Sequence, residues 1–289
     1  MSDVQHLGVL SGPVLIFGGP YGNLEATQAL AHAAHALDIP ATHVICTGDV
    51  VAYGADPQGV VDLIRVWGCP VVMGNCEESL AADAADCGCG FEEGTTCAAL
   101  SDQWFTATRR DLDADAKRWM GGLPRQITFS LGGRRLAAVH GAATQINKFI
   151  FASTGSAVKA AEIAATGCDG VVAGHCGLPF TDIVGGRLWH NSGALGMPAN
   201  DGTARIWFSL LTPTAEGVRI EHRALHYDHA PAAAKMRARG YPAGYADCLA
   251  SGLWPSCDVL LPDERAARGR SISPSSHLWP EAALPTAAE

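Results

Sequence analysis

Four short apolar runs each end on a glycine and a polar side chain, and this repeated punctuation constrains the chain more than any other feature. Val44-Ile45-Cys46-Thr47 leads into Gly48-Asp49, and Val71-Val72-Met73 into Gly74-Asn75-Cys76-Glu77. Leu136-Ala137-Ala138-Val139 leads into His140-Gly141, and Val171-Val172-Ala173 into Gly174-His175. Short continuous apolar runs bounded by turn formers fit strands buried on both faces. In open α/β sheets the groups just past the carboxyl ends of such strands share one crevice. Glycine at each end lets the backbone turn sharply and lets a ligand approach. Together the four ends supply a carboxylate, an amide oxygen and two imidazoles, a set suited to Mn, Fe, Zn or Ni rather than to Mg or Ca. Taken singly, a strand-end Gly-Asp is more often a turn and a strand-end histidine more often structural. The succession of all four points to a metal.

The intervening segments complete the pattern. Val14-Leu15-Ile16-Phe17 reads as a strand, and Leu24, Thr27, Leu30, Ala34 and Leu37 recur at helical spacing behind Asn23, a suitable N-cap. Pro57 opens a helix over residues 58–66, and residues 70–73 read as a third strand. This βαβαβ alternation predicts a largely parallel sheet. Gly132-Gly133, between strands at 127–129 and 135–139, signals a hairpin. A helix over 156–165 and a strand over 170–173 follow. Residues 203–211 and 218–225 alternate with period two, as an antiparallel pair would. One sheet begun by βαβ units and another closed by hairpins predict a sandwich with helices outside.

Residues 78–122 break the rhythm: they are Ala-, Asp-, Cys- and Gly-rich at first, then helical around Trp104 and Trp119. They read as a cap inserted into a main domain of residues 1–226, lying over the mouth of the crevice. Residues 227–289 read as an accessory segment with a helix over 230–239. Its end, rich in Pro, Ala and Ser, is expected to be poorly ordered.

Nearly half of the 289 residues are apolar (48%), enough for a sizeable core without covalent staples. The net charge of -9 argues against a protein that coats nucleic acid. It leaves room for a small phosphorylated substrate, because a bound metal reverses the local field. The opening Met1-Ser2-Asp3-Val4 shows no basic leader, and no run is long and apolar enough to span a bilayer, so the sequence predicts a cytoplasmic protein and leaves self-association open. Of the ten cysteines, Cys46, Cys69 and Cys168 fit small buried hydrophobes, and a reducing compartment disfavours disulfides.

Over residues 13–225 the chain resembles the calcineurin-like metallophosphoesterase superfamily, and most of all its bacterial phosphodiesterase branch. The resemblance rests on the stretch from Gly48-Asp49 to Asp56-Pro57, on Gly74-Asn75-Cys76-Glu77, His140-Gly141 and Gly174-His175, and on Asn191-Ser192-Gly193-Ala194-Leu195-Gly196-Met197-Pro198, in family order. It implies an α/β fold, a four-layer α/β/β/α sandwich of two mixed β-sheets flanked by helices. It also implies hydrolysis of phosphate esters by metal-activated water at a two-metal centre. Carried over residue by residue, one metal keeps its set: Asp49, Asn75, His140 and His175. The other has lost its own ligands, since Gly19 and Tyr21 stand where the family has Asp-x-His, and Gly177 stands where Gly-His-x-His ends. One divalent transition metal per chain, at a mononuclear or remodelled centre, is the resulting expectation.

Cys76 replaces the usual histidine after Asn75, so Cys76 and Tyr21 are candidates to assist catalysis. His190, Asn191, Gly193 and Asn147 are candidates to orient substrate. Phe149, Phe151 and Trp104 read as core rather than as substrate walls. Cys87 and Cys89, with Cys97 and Cys176, could form a second soft-metal or redox site close to Cys76 or Tyr21, although the spacing matches no common zinc pattern. The competing expectation is a Gly-rich turn with packing thiols. The leading function is a metal-dependent phosphodiesterase or phosphomonoesterase. The alternatives are a non-catalytic sensor of metal, phosphate or nucleotide on the same fold, and a redox role centred on the Cys-rich cap.

Overall fold

The computed structural model describes residues 3–280. In chain order the elements are β1 (Val4–Val9), β2 (Val14–Phe17), α1 (Leu24–Ala36), β3 (Val44–Cys46), α2 (Pro57–Trp67), α3 (Asn75–Ala81), α4 (Thr96–Asp111) and α5 (Ala114–Met120). After them come β4 (Gln126–Leu131), β5 (Arg134–Val139), α6 (Ser156–Thr166), β6 (Gly170–Ala173), β7 (Pro179–Val184), β8 (Arg187–Ser192), β9 (Ile206–Thr214) and β10 (Gly217–Leu225). The described chain closes with α7 (Ala230–Ala238), α8 (Ala243–Ser251), α9 (Pro262–Ala266) and β11 (Ser275–Pro280). Local chemistry sets several ends. Asn23 Oδ1 accepts from the Ala26 N–H and caps α1, while Pro57 opens α2 and Gly68 closes it at φ 74. Gly132 and Gly133, both at positive φ, make the β4–β5 turn.

Two mixed sheets stack. One has the order β1-β4-β5-β6-β8-β7, the other β11-β10-β9-β2-β3. Alternation along the strands divides the core. Val14 and Ile16 of β2 face the space between the sheets with Ile45, Phe129, Leu136 and Val172, while Leu15 and Phe17 face the helices. Val171 and Ala173 of β6 turn the other way, toward Ile163 of α6. Burial on both faces is why these runs lack polar alternation. The four-layer α/β/β/α sandwich expected from the sequence is therefore present.

Several expectations change. Residues 70–73 form no strand: one parallel bridge joins Val71 to Cys46, after which the Met73 N–H leaves the ladder for the Pro124 carbonyl. The helices of segment 78–122 are not a free lid. Trp104, Phe105 and Met120 share one core with Val60 and Ile64 of α2, and the loop around residues 87–91 and Cys97 at the start of α4 reach the crevice. The segment read as accessory is integrated: Met236, Tyr245, Ala246 and Leu249 join that same core. Ser275–Pro280, placed by the sequence in a disordered end, pairs with β10, and Trp279 is fully buried with its Nε1–H donated to the Gly186 carbonyl across the sandwich. Residues 281–289 lie outside the described residues. No described helix is long and apolar enough to cross a membrane.

A histidine pair ties the sheets together. The rings of His190 (β8) and His222 (β10) lie 4.7 Å apart, and His222 Nε2 lies 2.9 Å from the Asn191 carbonyl. Burial pushes the His190 pKa well below its ordinary value and that of His222 to about 4, so both are neutral in the fold. Unfolded histidine titrates near ~6.5. Their contribution is thus fully present above that value and is lost as pH falls toward about 4, because the unfolded chain takes up protons that the fold refuses. His222 alone should account for on the order of 3 kcal/mol. Denaturant unfolding should show wild-type stability falling across this window and a shallower fall for His222→Gln; parallel profiles would remove the pair from the account.

Candidate metal centre

The centre forms where the two sheets meet. Asp49 follows β3, Asn75 is the first residue of α3, His140 follows β5 and His175 follows β6. Close approach here depends on glycine. A Cβ on Gly174 would lie 2.5 Å from Thr47 Oγ1, and one on Gly48 would lie 2.7 Å from the Gly74 nitrogen. Asp49 (φ 55) and His175 (φ 59) both hold left-handed backbone, as does Tyr21 (φ 53). Such conformations cost about 1–3 kcal/mol each and tend to collect at functional sites.

Four polar groups converge. His140 Nε2 lies 3.0 Å from Asn75 Oδ1, 3.1 Å from His175 Nδ1 and 3.3 Å from Asp49 Oδ2. The ligand atoms of Asp49, His140 and His175 all fall within 4.8 Å of one another. His140 Nδ1 sits 2.7 Å from the Thr47 carbonyl, which can only accept, so Nδ1 carries the proton and Nε2 faces the centre. Asn75 is oriented in the same manner. Its Nδ2 donates to the Cys87 carbonyl at 2.9 Å, which leaves Oδ1 for the centre.

Burial works against the Asp49 charge, but the neighbouring imidazole of His140 outweighs it and holds the carboxyl below its ordinary range. Burial would equally lower His140, yet Asp49 raises it: this carboxylate demands a positive charge at the centre, whether a proton or a metal ion. Burial and then His140 push His175 down to about 3, so its Nδ1 lone pair is free to coordinate. A buried carboxylate, an amide oxygen and two imidazole lone pairs around one point fit a divalent transition metal.

Beneath the ligands lies Glu77, a residue the sequence reading quoted without giving it a role. It is fully buried, and its Oε2 accepts from the Asp49 N–H (2.8 Å) and the Gly74 N–H (2.9 Å), so one carboxylate holds both ligand-bearing loops. Burial, then the charge of Asp49, pushes its pKa up to about 7. Its place three residues after Gly74, at the start of a helix, is the capping-box signal that could have revealed it.

A cleft open to solvent leads outward from Asp49 and His175. Its walls include Tyr21, Tyr53, Phe91, Phe149, Tyr245 and Trp254, with Cys89 and the thiols of Cys97 and Cys176, and no described lysine or arginine lines it. Phe149 is therefore a wall, stacked 4.1 Å from the His175 ring, whereas Phe151 and Trp104 are core. Cys76 is buried and a protonated thiol, its pKa raised by burial and then by Asp49; its N–H donates to Asp49 Oδ1 at 3.3 Å.

The four residues assigned to substrate fall outside the cleft lining. His190 sits between the sheets, and Asn147 donates to the Gly88 carbonyl. Asn191 braces the Gly174 carbonyl, and Gly193 packs under Trp207. Cys87 and Cys89 do lie beside the centre, but they form a disulfide with each other, and Cys89 Sγ is 3.4 Å from Asn75 Nδ2. Among the described residues these cysteines form no cluster of three metal-ligating atoms with Cys97 or Cys176.

A sandwich with a mixed Asp/Asn/His centre at the strand ends defines the metallophosphoesterase class. Residues 22–212 match the calcineurin-like phosphoesterase superfamily domain, and the chain belongs to that superfamily. A metallophosphoesterase from Sphaerobacter thermophilus superposes with a TM-score of 0.65 at 23% identity, over 84% of this chain and 100% of that one. A hypothetical protein from Pyrococcus horikoshii OT3 superposes with a TM-score of 0.71 at 16% identity, over 84% of this chain and 99% of that one. These likenesses establish the fold. No curated protein matches the chain.

Aromatic rings stand beside the glycines at 19 and 177. A Cβ on Gly19 would lie 2.4 Å from Tyr21 Cζ, inside the tyrosine ring, so no aspartate fits at position 19 while that ring stays. A Cβ on Gly177 would lie 3.4 Å from Trp254 Cζ2 and 3.8 Å from Tyr21 Oη. Trp254 is fixed there, its Nε1–H donated to the Pro198 carbonyl at 2.7 Å. His175→Ala should abolish metal retention, a larger effect than the roughly 10–100-fold that a supporting residue costs, while leaving the circular dichroism spectrum unchanged. Wild-type metal content by elemental analysis in that variant would refute the ligand assignment.

Proposed function

We propose that this chain is a phosphoesterase that depends on a single divalent transition metal held by Asp49, Asn75, His140 and His175, with a small phosphorylated molecule as substrate. The observation that supports this most directly is the approach of Asp49 Oδ2, Asn75 Oδ1 and His175 Nδ1 to within 3.3 Å of His140 Nε2 at the inner end of a solvent-open cleft. A divalent metal at such a set lowers the pKa of water and polarises a phosphoryl oxygen.

The chain's own residues do the rest. Thr47 fixes the tautomer of His140, the Cys87 carbonyl fixes the amide of Asn75, and Glu77 fixes the loops that carry Asp49 and Asn75. Phe149 backs His175 and keeps water from that side of the ring. Cys76, held as a thiol beside Asp49, and the Tyr21 hydroxyl on the cleft wall are the candidate donors to a departing alkoxide. With one metal the attacking and leaving oxygens are no longer clamped together, so turnover should be slower than at a two-metal site.

Purified protein should carry at most one tightly held metal per chain by elemental analysis. Chelation should remove hydrolysis of bis-p-nitrophenyl phosphate or p-nitrophenyl phosphate, and Mn, Fe, Zn or Ni should restore it. A metal-loaded protein inert toward both esters would favour the non-catalytic sensor. Two metals about 3.5 Å apart would overturn the mononuclear centre.

A further inference from the structure

Three tyrosines from three separated stretches of sequence meet on one wall of the cleft. Tyr21 comes from the loop after β2, Tyr53 from the loop after β3 and Tyr245 from α8. Ring centroids are 4.9 Å apart for Tyr21 and Tyr53 and 4.5 Å apart for Tyr53 and Tyr245. The loops are laced by backbone hydrogen bonds: the Tyr21 N–H donates to the Asp49 carbonyl at 3.1 Å, and the Gly54 N–H to the Tyr21 carbonyl at 2.7 Å. Tyr21 is 6% exposed and Tyr245 7%. The hydrogen bonds of the described residues include none to any of the three hydroxyls, whereas Tyr227 and Tyr241, outside the cleft, each have a partner. None of the three hydroxyls is a buried atom without a partner, so each keeps some exposure to the cleft, and three free donors on one ligand-facing wall suit a ligand that accepts hydrogen bonds.

We propose that Tyr21, Tyr53 and Tyr245 form an uncharged donor seat, in the place of the lost metal, for the non-bridging oxygens of a phosphodiester, and that this seat makes the cleft prefer a diester monoanion to a monoester dianion. The proposal rests on the phosphoester reading of the site and narrows its substrate class. Charge supports it. A divalent cation on Asp49 leaves at most one net positive charge, and no described lysine or arginine lines the cleft. One negative charge is balanced there; a second would be buried without a counter-charge, which is costly. The remaining walls agree, since Phe91, Phe149, Met197, Trp254 and Val259 offer apolar surface for the second ester group.

The test uses full-length, metal-loaded protein and calorimetric binding of diphenyl phosphate and phenyl phosphate at pH 8. Wild type should bind the diester at least tenfold more tightly. Tyr21→Phe/Tyr53→Phe/Tyr245→Phe should lose roughly tenfold or more in diester affinity, as expected for hydrogen bonds to an anion, with metal content and Tm unchanged. If the triple variant does not fold, Tyr21→Phe and Tyr245→Phe alone should each show part of the loss. Equal diester affinity in wild type and the variants, or tighter binding of the monoester, would overturn the seat. The two readings fail separately. Diester binding that depends on the tyrosines without any turnover would uphold the seat and sink the enzyme. Turnover of bis-p-nitrophenyl phosphate with KM unchanged in Tyr53→Phe and Tyr245→Phe would uphold the enzyme and sink the seat.

Discussion

His140 reaches from one sheet to the other, and the site depends on that contact. Its Nδ1 meets the Thr47 carbonyl at 2.7 Å at the end of β3, while its own backbone continues β5 of the opposite sheet. This single bond joins the sheets at the point where the ligands gather and fixes which ring nitrogen faces them. Gly174 serves the same junction, because a methyl group there would strike Thr47 at the end of the facing strand, and Gly48 lets the β3 loop pass close to Gly74. The packed core behind, with Val14, Ile16, Ile45, Phe129 and Val172, makes the junction rigid.

Around it the electrostatics are arranged in depth. Asp49 and Glu77 are both buried, and the lower carboxylate is neutral or charged near pH 7 according to what sits above it, since its pKa lies at about 7. Its two backbone donors hold it in place in either state. The upper carboxylate stays ionised because an imidazole and a place for a cation face it. The outer half of the site is aromatic: Tyr21 stands against Gly19 and Trp254 borders Gly177. The tyrosine ring needs glycine at 19.

Much of this was legible from residue order. Apolar runs with punctuated ends marked β3, β5, β6 and their polar successors, because strands buried on both faces leave no other reading. The helical period of α1 and its Asn23 cap, the proline start of α2 and the Gly132-Gly133 hairpin were equally plain. What escaped notice lacked a local signal. β11 looks like a polar, proline-bearing tail, and only the fit of Trp279 into the inter-sheet core makes it a strand. Residues 70–73 have strand composition but gain only one bridge, since Pro124 draws off the next donor. The Asn191–Gly193 stretch resembles a substrate loop, yet its polar atoms are spent on the Gly174 carbonyl and its own turn.

The sequence by itself determined the superfamily, the sandwich and the four groups around one metal position, because each depends on short-range pattern: a strand, a glycine, a ligand. Only the tertiary structure decided what surrounds that position. Tyr245 and Trp254 lie some two hundred residues beyond Tyr21, and nothing local in either announces a cleft. Long-range packing of α8 and the following loop against the face that carries Asp49 and His175 brings them there. The same packing joins Cys87 and Cys89 beside Asn75, and it brings Tyr21, Tyr53 and Tyr245 onto one wall of the cleft.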